Sequence, residues 1–199
     1  MLRGQRIDVP GGKVRPTQDR VRQALFSSLG DRVPGCRFLD LFAGSGAVGL
    51  DAWSRGARQV CWVEADGRTF STLRENIARL CGNAGAGAAI RGARAPEPQT
   101  VSRDGGGLLL VRADALRFLE EGDGPWDVIF ADPPYGAQER SAWAGRIARA
   151  AWMGTALAPQ GLMIIEQRHR QVTETVPGWQ VMDRRTYGDT ELLLLARLE

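Results

Sequence analysis

The amino-acid sequence predicts one α/β domain over residues 1–199, built on a mostly parallel sheet. Short apolar runs alternate with amphipathic segments along the chain, a pattern typical of parallel strands covered by helices on both faces. Acidic residues and glycine turns follow directly after apolar runs, at the strand ends where such sheets bind ligands. Residues 179–198 have the pattern of two strands joined by a turn at Gly188 and Asp189, which indicates an added antiparallel hairpin.

The amino-terminal part of the chain predicts a first helix followed by two strand–helix units. Thr17 is a candidate N-cap for the first helix, and Gly30 is a candidate end. The apolar stripe of this helix consists of Val21, Leu25, Phe26 and Leu29. In order, the pattern predicts a helix over 15–30, a strand over 36–42, a glycine turn and helix over 44–56, a strand over 60–66 and a helix over 66–80.

Residues 82–107 separate the two halves of the sheet in sequence. They are rich in Gly, Ala, Pro and Arg and lack periodicity, so we expect a long flexible insert. Beyond it the alternation resumes. In order, the pattern predicts a strand over 107–114, a helix over 115–122, a strand over 126–131, a helix over about 140–157 and a strand over 162–167.

The charge of the chain is concentrated at its beginning. The formal net charge is +3, yet residues 1–32 hold seven cations and three carboxylates and so carry +4. A basic segment and helix over residues 1–30 fits a phosphate-contacting arm, because neutralised phosphates supply most sequence-independent nucleic-acid affinity. A solvated tail explains the same charges equally well.

Composition excludes several other classes of protein. No apolar run approaches membrane-spanning length and the first residues lack a secretory signal, so we expect a cytoplasmic protein without membrane contact. Cys36, Cys61 and Cys81 form no CxxC pair, and His169 is the only histidine. We therefore expect reduced, mostly buried cysteines and no metal site.

The first motif with chemical content is FLDLFAGSGAVGL over residues 38–50. Asp40 ends an apolar run, and Gly44, Gly46 and Gly49 follow it. Glycines permit a tight turn and the close approach of backbone N–H groups to a ligand. A carboxylate before the turn suits an ammonium group better than a pyrophosphate, which favours a methionine-containing cofactor. A purely structural turn is the alternative.

Two further acids follow predicted strands. Glu64 lies twenty positions after Gly44, a spacing at which carboxylates bind ribose hydroxyls. Its alternative role is to cap the next helix, which Asp66 would do equally well. Asp114 is a candidate acceptor for an adenine amino group, or equally an N-cap.

The most specific motif is Asp132-Pro133-Pro134-Tyr135, directly after the apolar run DVIFA. Two prolines cannot extend a strand, so they form a rigid turn with outward carbonyls. An exocyclic base amine is a poor nucleophile because its lone pair is delocalised into the ring. If the Asp132 carboxylate and the Pro133 carbonyl each accept an amino hydrogen, the lone pair can face a methyl donor. Tyr135 would stack on the extruded base.

Together these segments resemble a known family, the bacterial small-subunit ribosomal RNA guanine-N2 methyltransferases of the RsmD-like type. The resemblance rests on RPTQDRVRQALFSSL, FLDLFAGSGAVGLDAWSRGA, VEAD and DVIFADPPYG, and covers the chain from about residue 11 except residues 82–107. It implies a Rossmann-like class I methyltransferase fold with a seven-stranded sheet. It also implies S-adenosylmethionine as donor, S-adenosylhomocysteine as product, and a guanine in 16S ribosomal RNA as acceptor, within a small-subunit assembly particle.

The resemblance also implies roles for individual residues. The methionine pocket would be formed by Asp40, Phe42, Gly44 and Gly46, with Glu64 on the ribose and Asp114 and Ala115 near the adenine. The target base would be held by Asp132, Pro133, Pro134 and Tyr135, and RNA would contact Arg15, Pro16, Thr17, Arg20 and Arg22. The chain departs from the family in a shorter basic lead-in and a longer glycine-rich insert. Competing functions are amino methylation of another RNA or of DNA adenine, and a non-catalytic factor that binds RNA and cofactor.

Overall fold

A computed structural model describes residues 6–9, 16–82, 89–92, 107–122, 124–134, 143–169 and 177–198 of the chain. At residues 16–18 and 91–92 it describes the backbone only. Among the described residues, no helix is long and apolar enough to cross a membrane.

Five α-helices and a short 3₁₀ turn form within these residues. The helices are α1 (Pro16–Leu29), α2 (Ala47–Ser54), α3 (Gly67–Leu80), α4 (Ala115–Glu120) and α5 (Trp143–Met153), and the 3₁₀ turn covers Gly30–Arg32. The apolar stripe predicted for the first helix is buried throughout and packs into the core on one face of the sheet.

Eight strands form within the described residues. They are β1 (Arg37–Leu41), β2 (Gln59–Val63), β3 (Ala89–Gly92), β4 (Gly107–Arg112), β5 (Trp126–Ala131), β6 (Leu157–Arg168), β7 (Trp179–Tyr187) and β8 (Thr190–Arg197). All eight belong to one sheet, in the order β3-β4-β2-β1-β5-β6-β8-β7. The first six strands of that order are parallel, and β8 pairs antiparallel with both β6 and β7. The predicted α/β class and terminal hairpin are therefore confirmed.

The order in which the chain adds strands to the sheet reverses direction at β1. Chain order runs outward from β1 through β2 and β4 on one side and through β5 and β6 on the other. Ligands bind at such a point because the loops from neighbouring strands leave in opposite directions and open a crevice at the carboxyl ends. The predicted acidic motifs follow β1, β2, β4 and β5, so they all lie at this edge of the sheet.

The prediction of seven strands was wrong by one strand. The additional strand is β3, which lies within residues 82–107, where we expected an uninterrupted flexible insert. Strand β3 pairs parallel with β4 at the edge of the sheet, with Ala89 opposite Leu109. Its side-chain pattern is too short to show a period of two, so its pairing with β4 is what makes it a strand.

Three boundaries also differ from prediction. Helix α1 begins at Pro16, so Thr17 lies inside the first turn and is not the N-cap. Proline suits the first helical position because its missing N–H would have no intrahelical acceptor there. Helix α5 (Trp143–Met153) ends at Met153 instead of residue 157, and β6 begins at Leu157 instead of residue 162. Residues 140–142, where the predicted helix was to begin, lie outside the described residues.

The cysteine and turn predictions are confirmed. Cys36 and Cys61 are buried, Cys81 is half-buried, and none of the three is in a disulfide. Gly188 adopts a φ of 60° in the turn that joins β7 to β8, where Tyr187 pairs with Thr190. Glycine fits this turn because it enters the left-handed region without a Cβ penalty.

Candidate active site

A cavity of about 840 Å³ opens at the carboxyl ends of β1, β5 and β6. Its floor includes Asp40, Phe130, Asp132 and Glu166, which lie in or directly after these strands. One wall is the glycine turn that follows β1, and another is formed by residues 6–9 together with part of α1. The cavity therefore occupies the predicted switch point of the sheet.

The glycine turn has an unusual backbone. Phe42, Gly44 and Gly46 all have positive φ, at 58°, 56° and 83°. A positive φ is costly for a bulky residue such as phenylalanine, and it persists only where surrounding contacts hold it. The ring of Phe42 is held edge-on against Trp143 with centroids 5.3 Å apart. The Ala43 N–H donates to Val63 O at 3.0 Å and ties the turn to β2.

The three glycines of this motif differ in what a Cβ atom would contact at each position. A Cβ on Gly49 would lie 2.2 Å from Trp62 Nε1, and a Cβ on Gly46 would lie 2.4 Å from Leu73 Cδ1. These two glycines let α2 pack closely on β2 and α3. A Cβ on Gly44 would meet only the Phe42 carbonyl oxygen, at 3.9 Å. Of the three, only Gly44 lines the cavity, so the ligand-binding interpretation of the motif stays a prediction for Gly44, and Gly46 and Gly49 serve packing.

Asp40 lies at the base of the turn with only 2% of its surface exposed. The Gly49 N–H donates to its Oδ2 at 2.9 Å. Burial raises the pKa of Asp40 well above its usual range, the Gly49 hydrogen bond opposes that rise, and the charges of Asp132 and Glu64 add to it. A cation entering the cavity would stabilise the ionised form of this carboxylate.

Glu64 is not the helix cap. Asp66 caps α3, because its Oδ1 accepts the N–H groups of Arg68 and Thr69 at 3.1 and 2.9 Å. Glu64 instead accepts the Gly44 N–H through Oε2 at 3.0 Å and the Asp66 N–H through Oε1 at 2.8 Å. Each carboxylate oxygen has a second lone pair, so both retain capacity for ribose hydroxyls. The ribose role itself stays a prediction.

Asp114 does cap a helix. Its Oδ1 accepts the N–H groups of Leu116 and Arg117, both at 3.0 Å, at the start of α4. Ala115 follows as a buried residue of that helix. Neither residue lines the cavity described above, and neither does Glu64. All three follow the neighbouring strands β2 and β4, and their predicted contacts with ribose and adenine remain predictions.

The proline turn begins where β5 ends. Asp132 is partly buried, Pro133 is buried and Pro134 is exposed. Burial raises the pKa of Asp132 to about 6. Tyr135 lies outside the described residues. Asp132 opens onto the same cavity as Asp40, Phe42 and Gly44, which lie some ninety residues earlier in the chain.

Sequence reasoning missed Glu166, which lies near the carboxyl end of β6. Its carboxyl group lines the cavity, and burial followed by the charge of Asp132 raises its pKa to about 8. The available signal was the acid that ends the apolar run LMIIE, since β6 runs parallel to β5. Its position beside Asp132 depends on which strands pair, and this is not visible in the sequence.

The predicted RNA-binding residues lie in different surroundings. Arg20 is exposed on α1. Arg22 lines the cavity and pairs with Asp19 at 3.0 Å and with Asp51 at 3.4 Å. Arg15 lies outside the described residues, and only the backbone of Pro16 and Thr17 is described.

The sheet and the cavity at its switch point define the chain as a Rossmann-like class I methyltransferase. The solved structure of yhhF from Escherichia coli superposes with a TM-score of 0.76 at 28% identity, covering 98% of this chain and 93% of that chain. A structure of an MtNAS variant in complex with S-adenosylmethionine has a TM-score of 0.62 over 92% of this chain and 63% of that chain. Its 13% identity shows the fold alone.

The family follows from the sequence match. The family model described as "Conserved hypothetical protein 95" matches residues 1–196. The protein named Ribosomal RNA small subunit methyltransferase D of Escherichia coli strain K12 is 28% identical over 197 residues, which cover 98% of this chain and 86% of that protein. The chain belongs to this family, the RsmD-like methyltransferases, as the sequence motifs predicted.

Proposed function

We propose that the protein transfers a methyl group from S-adenosylmethionine to the exocyclic N2 amino group of a guanine in 16S ribosomal RNA, with S-adenosylhomocysteine as the product. The observation that carries this proposal is the opening of Asp132 onto the cavity that Asp40, Phe42 and Gly44 also line. The name of the Escherichia coli relative supports the choice of small-subunit ribosomal RNA. We place the reaction in the cytoplasm, on RNA within an assembling small subunit.

The charge of the cavity fits the donor. Its acidic lining residues are Asp8, Asp19, Asp40, Asp132 and Glu166, and its basic lining residues are Arg6 and Arg22. S-adenosylmethionine carries a sulfonium and an ammonium group, and it supplies an electrophilic methyl group when bound. An acidic, partly desolvated cavity favours such cations and disfavours a dinucleotide pyrophosphate.

The chain offers a site for each part of the donor. Asp40 would face the ammonium group, and the open backbone at Gly44 would allow the methionine part to approach closely. Phe42 and Gly46 would shape the pocket through the left-handed turn. Glu64 would accept ribose hydroxyls, and Asp114 and Ala115 would lie near the adenine.

Asp132 and Pro133 would activate the amino group of the acceptor guanine. The Asp132 carboxylate accepts one amino hydrogen and the Pro133 carbonyl accepts the other, so the nitrogen lone pair leaves conjugation with the ring. As the N–C bond forms, the S–CH₃ bond would break and leave S-adenosylhomocysteine, and the nitrogen must lose one proton, which the Asp132 carboxylate would take. A carboxyl group with a pKa of about 6 is ionised at neutral pH and is a stronger base than an ordinary aspartate. Tyr135 would stack on the base.

The basic residues of the first helix would bind the RNA. Arg20 is exposed and free to approach a phosphate, while Arg22 would act near the cavity because it already pairs with Asp19 and Asp51. Arg15, Pro16 and Thr17 complete the proposed contact segment. Arg22 lines the cavity, which supports RNA contacts close to the donor within a single proposed domain over residues 1–199.

A methyl-transfer assay with several acceptors tests the proposal. The purified protein receives labelled donor with immature small subunits, naked 16S RNA, large-subunit RNA and duplex DNA in parallel, and mass spectrometry locates the methylated base. We expect N2-methylguanine in 16S RNA. Label in DNA adenine or in large-subunit RNA would replace the proposed acceptor with that one. Donor and RNA binding without any transfer would establish a non-catalytic assembly factor instead.

A further inference from the structure

Residues 6–9 form one wall of the cavity, and we call this segment the strap. All four residues of the strap line the cavity, as residues of the glycine turn do. Ile7 packs against the core on the same face of the sheet as α1. The strap therefore belongs to the donor cavity although it precedes the first strand by about thirty residues.

The strap is fastened to Asn76 on α3. The Asp8 N–H donates to Asn76 Oδ1 at 3.0 Å, and Asn76 Nδ2 donates to the Asp8 carbonyl oxygen at 2.8 Å. Through these two bonds the Asn76 side-chain amide pairs with the Asp8 backbone in the way that the backbone of a neighbouring strand would. Asn76 has no exposed surface, so its amide must find partners within the protein.

The same amide also holds the glycine turn. Asn76 Nδ2 donates to the Ser45 carbonyl oxygen at 3.0 Å, between the left-handed residues Gly44 and Gly46. The conformation of this turn depends on such external contacts because its backbone lies in a sparsely populated region. One buried side chain therefore contacts both walls of the cavity.

Arg79 reinforces the contact from the surface. Its Nη2 donates to the Arg6 carbonyl oxygen at 2.9 Å, to Asp8 Oδ2 at 3.2 Å and to Asn76 Oδ1 at 3.1 Å. Arg79 does not line the cavity. It can therefore be replaced to loosen the strap without altering any group that faces the donor.

We propose that Asn76 is a positioning residue that couples the strap to the glycine turn, so that docking of the strap and binding of the methyl donor stabilise each other. The proposal rests on the function proposed above, because it takes the cavity as the donor site. Coupling between two binding events is reciprocal. Donor binding must therefore favour the docked strap by the same factor by which docking of the strap tightens donor binding.

Hydrogen exchange of the Asp8 amide measures the effect of donor binding on the strap, because that N–H donates directly to Asn76. S-adenosylhomocysteine serves as the probe, with its affinity measured by calorimetry. We expect the probe to slow exchange of the Asp8 amide in the full chain by about threefold or more. Unchanged exchange at saturating probe would overturn the coupling. If the probe does not bind the wild-type chain at all, the proposed function fails and this inference fails with it.

The variant Arg79→Met measures the effect of a loosened strap on donor binding, with Arg74→Met as its matched control. Arg74 is exposed on the same helix and makes none of the contacts described for the strap. Loss of one or two hydrogen bonds of ordinary strength corresponds to about threefold to tenfold in an equilibrium constant. We expect Arg79→Met to speed Asp8 exchange by a factor in that range and to weaken probe binding by up to the same factor, and Arg74→Met to change neither. Faster exchange in Arg79→Met that saturating probe does not slow would show that strap and donor act independently.

Asn76→Asp tests the positioning residue directly. The substitution keeps the size of the side chain and replaces the Nδ2 donor, which contacts two carbonyl oxygens, by an acceptor. We expect weaker probe binding and the loss of probe-dependent protection at Asp8. Retention of that protection in a folded variant would overturn the role of Asn76. If the variant does not fold, as judged by circular dichroism, the Arg79→Met comparison decides.

Discussion

Asp132 and Glu166 stand side by side at the ends of neighbouring parallel strands. The register pairs Ala131 with Ile165, one residue before each of them, and both carboxyl groups line the same cavity. Neighbouring strands lie about 4.8 Å apart, so two charges here would repel each other strongly. Burial raises the pKa of Asp132 to about 6, and burial together with the charge of Asp132 raises that of Glu166 to about 8. At neutral pH the pair therefore holds one proton, on Glu166, and Asp132 is ionised.

The first prediction concerns the pH dependence of activity. Because Asp132 must be ionised to accept an amino hydrogen, kcat/KM for the donor should rise with pH through an apparent pKa of about 6. Glu166→Gln should leave this acid limb in place, since Glu166, with a pKa of about 8, is still protonated around pH 6. Initial rates from pH 5 to 8 measure both profiles. A wild-type profile that is flat across this range would contradict the assignment.

The second prediction concerns the pH dependence of stability. The folded chain holds a proton on Glu166 up to pH about 8, whereas the unfolded chain releases it near the ordinary value of 4.5. The stabilisation is therefore fully present below pH 4.5 and is lost as pH rises through about 8. Between pH 5 and 8 the free energy of unfolding should fall by about 1 kcal/mol or more relative to Glu166→Gln. Urea titrations at each pH measure this difference, and parallel curves would disprove it.

The third prediction separates chemistry from donor binding at Asp132. Asp132→Ala removes the acceptor of the amino hydrogen, so we expect turnover to fall by about 100-fold or more. S-adenosylhomocysteine affinity should stay within a few-fold, because the residues proposed for the methionine pocket are others. Asp31→Ala is the matched control, since Asp31 is an exposed aspartate in the 3₁₀ turn after α1. Normal turnover in Asp132→Ala would refute the proposed mechanism.

The fourth prediction distinguishes the glycines of the turn. Gly49→Ala places a Cβ 2.2 Å from Trp62 Nε1, and this overpacking should lower the free energy of unfolding by about 1–3 kcal/mol. Gly44→Ala meets no such contact but keeps a φ of +56°, which should cost about 1 kcal/mol. Its added methyl group faces the donor cavity, so it should weaken probe binding more than Gly49→Ala does. Thermal unfolding and calorimetry on both variants test this; equal affinity losses would contradict the division of roles.

The fifth prediction compares Glu64 with Asp66. Glu64→Gln keeps one acceptor oxygen of the two that bind the Gly44 and Asp66 N–H groups, so donor affinity should fall by about tenfold. Asp66→Ala removes the N-cap of α3 and should cost about 1 kcal/mol of stability, with donor affinity within twofold. Calorimetry with S-adenosylhomocysteine measures both affinities. A larger affinity loss in Asp66→Ala would reverse the two assignments.

Much of the fold could be predicted because its signals are local. The stripe of α1, the apolar runs of β1, β2, β4 and β5, and the turn at Gly188 each depend on residues close together in sequence. Strand β3 could not be predicted because its four residues carry no periodicity and are ordered by β4, more than fifteen positions later. The start of α1 was misplaced by preferring Thr17 as a cap over Pro16 as the first helical residue.

The sequence determined where the chemistry lies along the chain: Asp40 with its glycine turn, Glu64, and the Asp132-Pro133-Pro134 turn each follow an apolar run, and that placement is local. Only the tertiary structure decided which of these groups share a cavity. Strand pairing joined β1 to β5 and β5 to β6, and so brought Glu166 to Asp132. It also placed Asn76 between the strap and the glycine turn. The reason is physical, since pairing between strands and burial of polar groups depend on contacts across distant sequence positions, which no local pattern records.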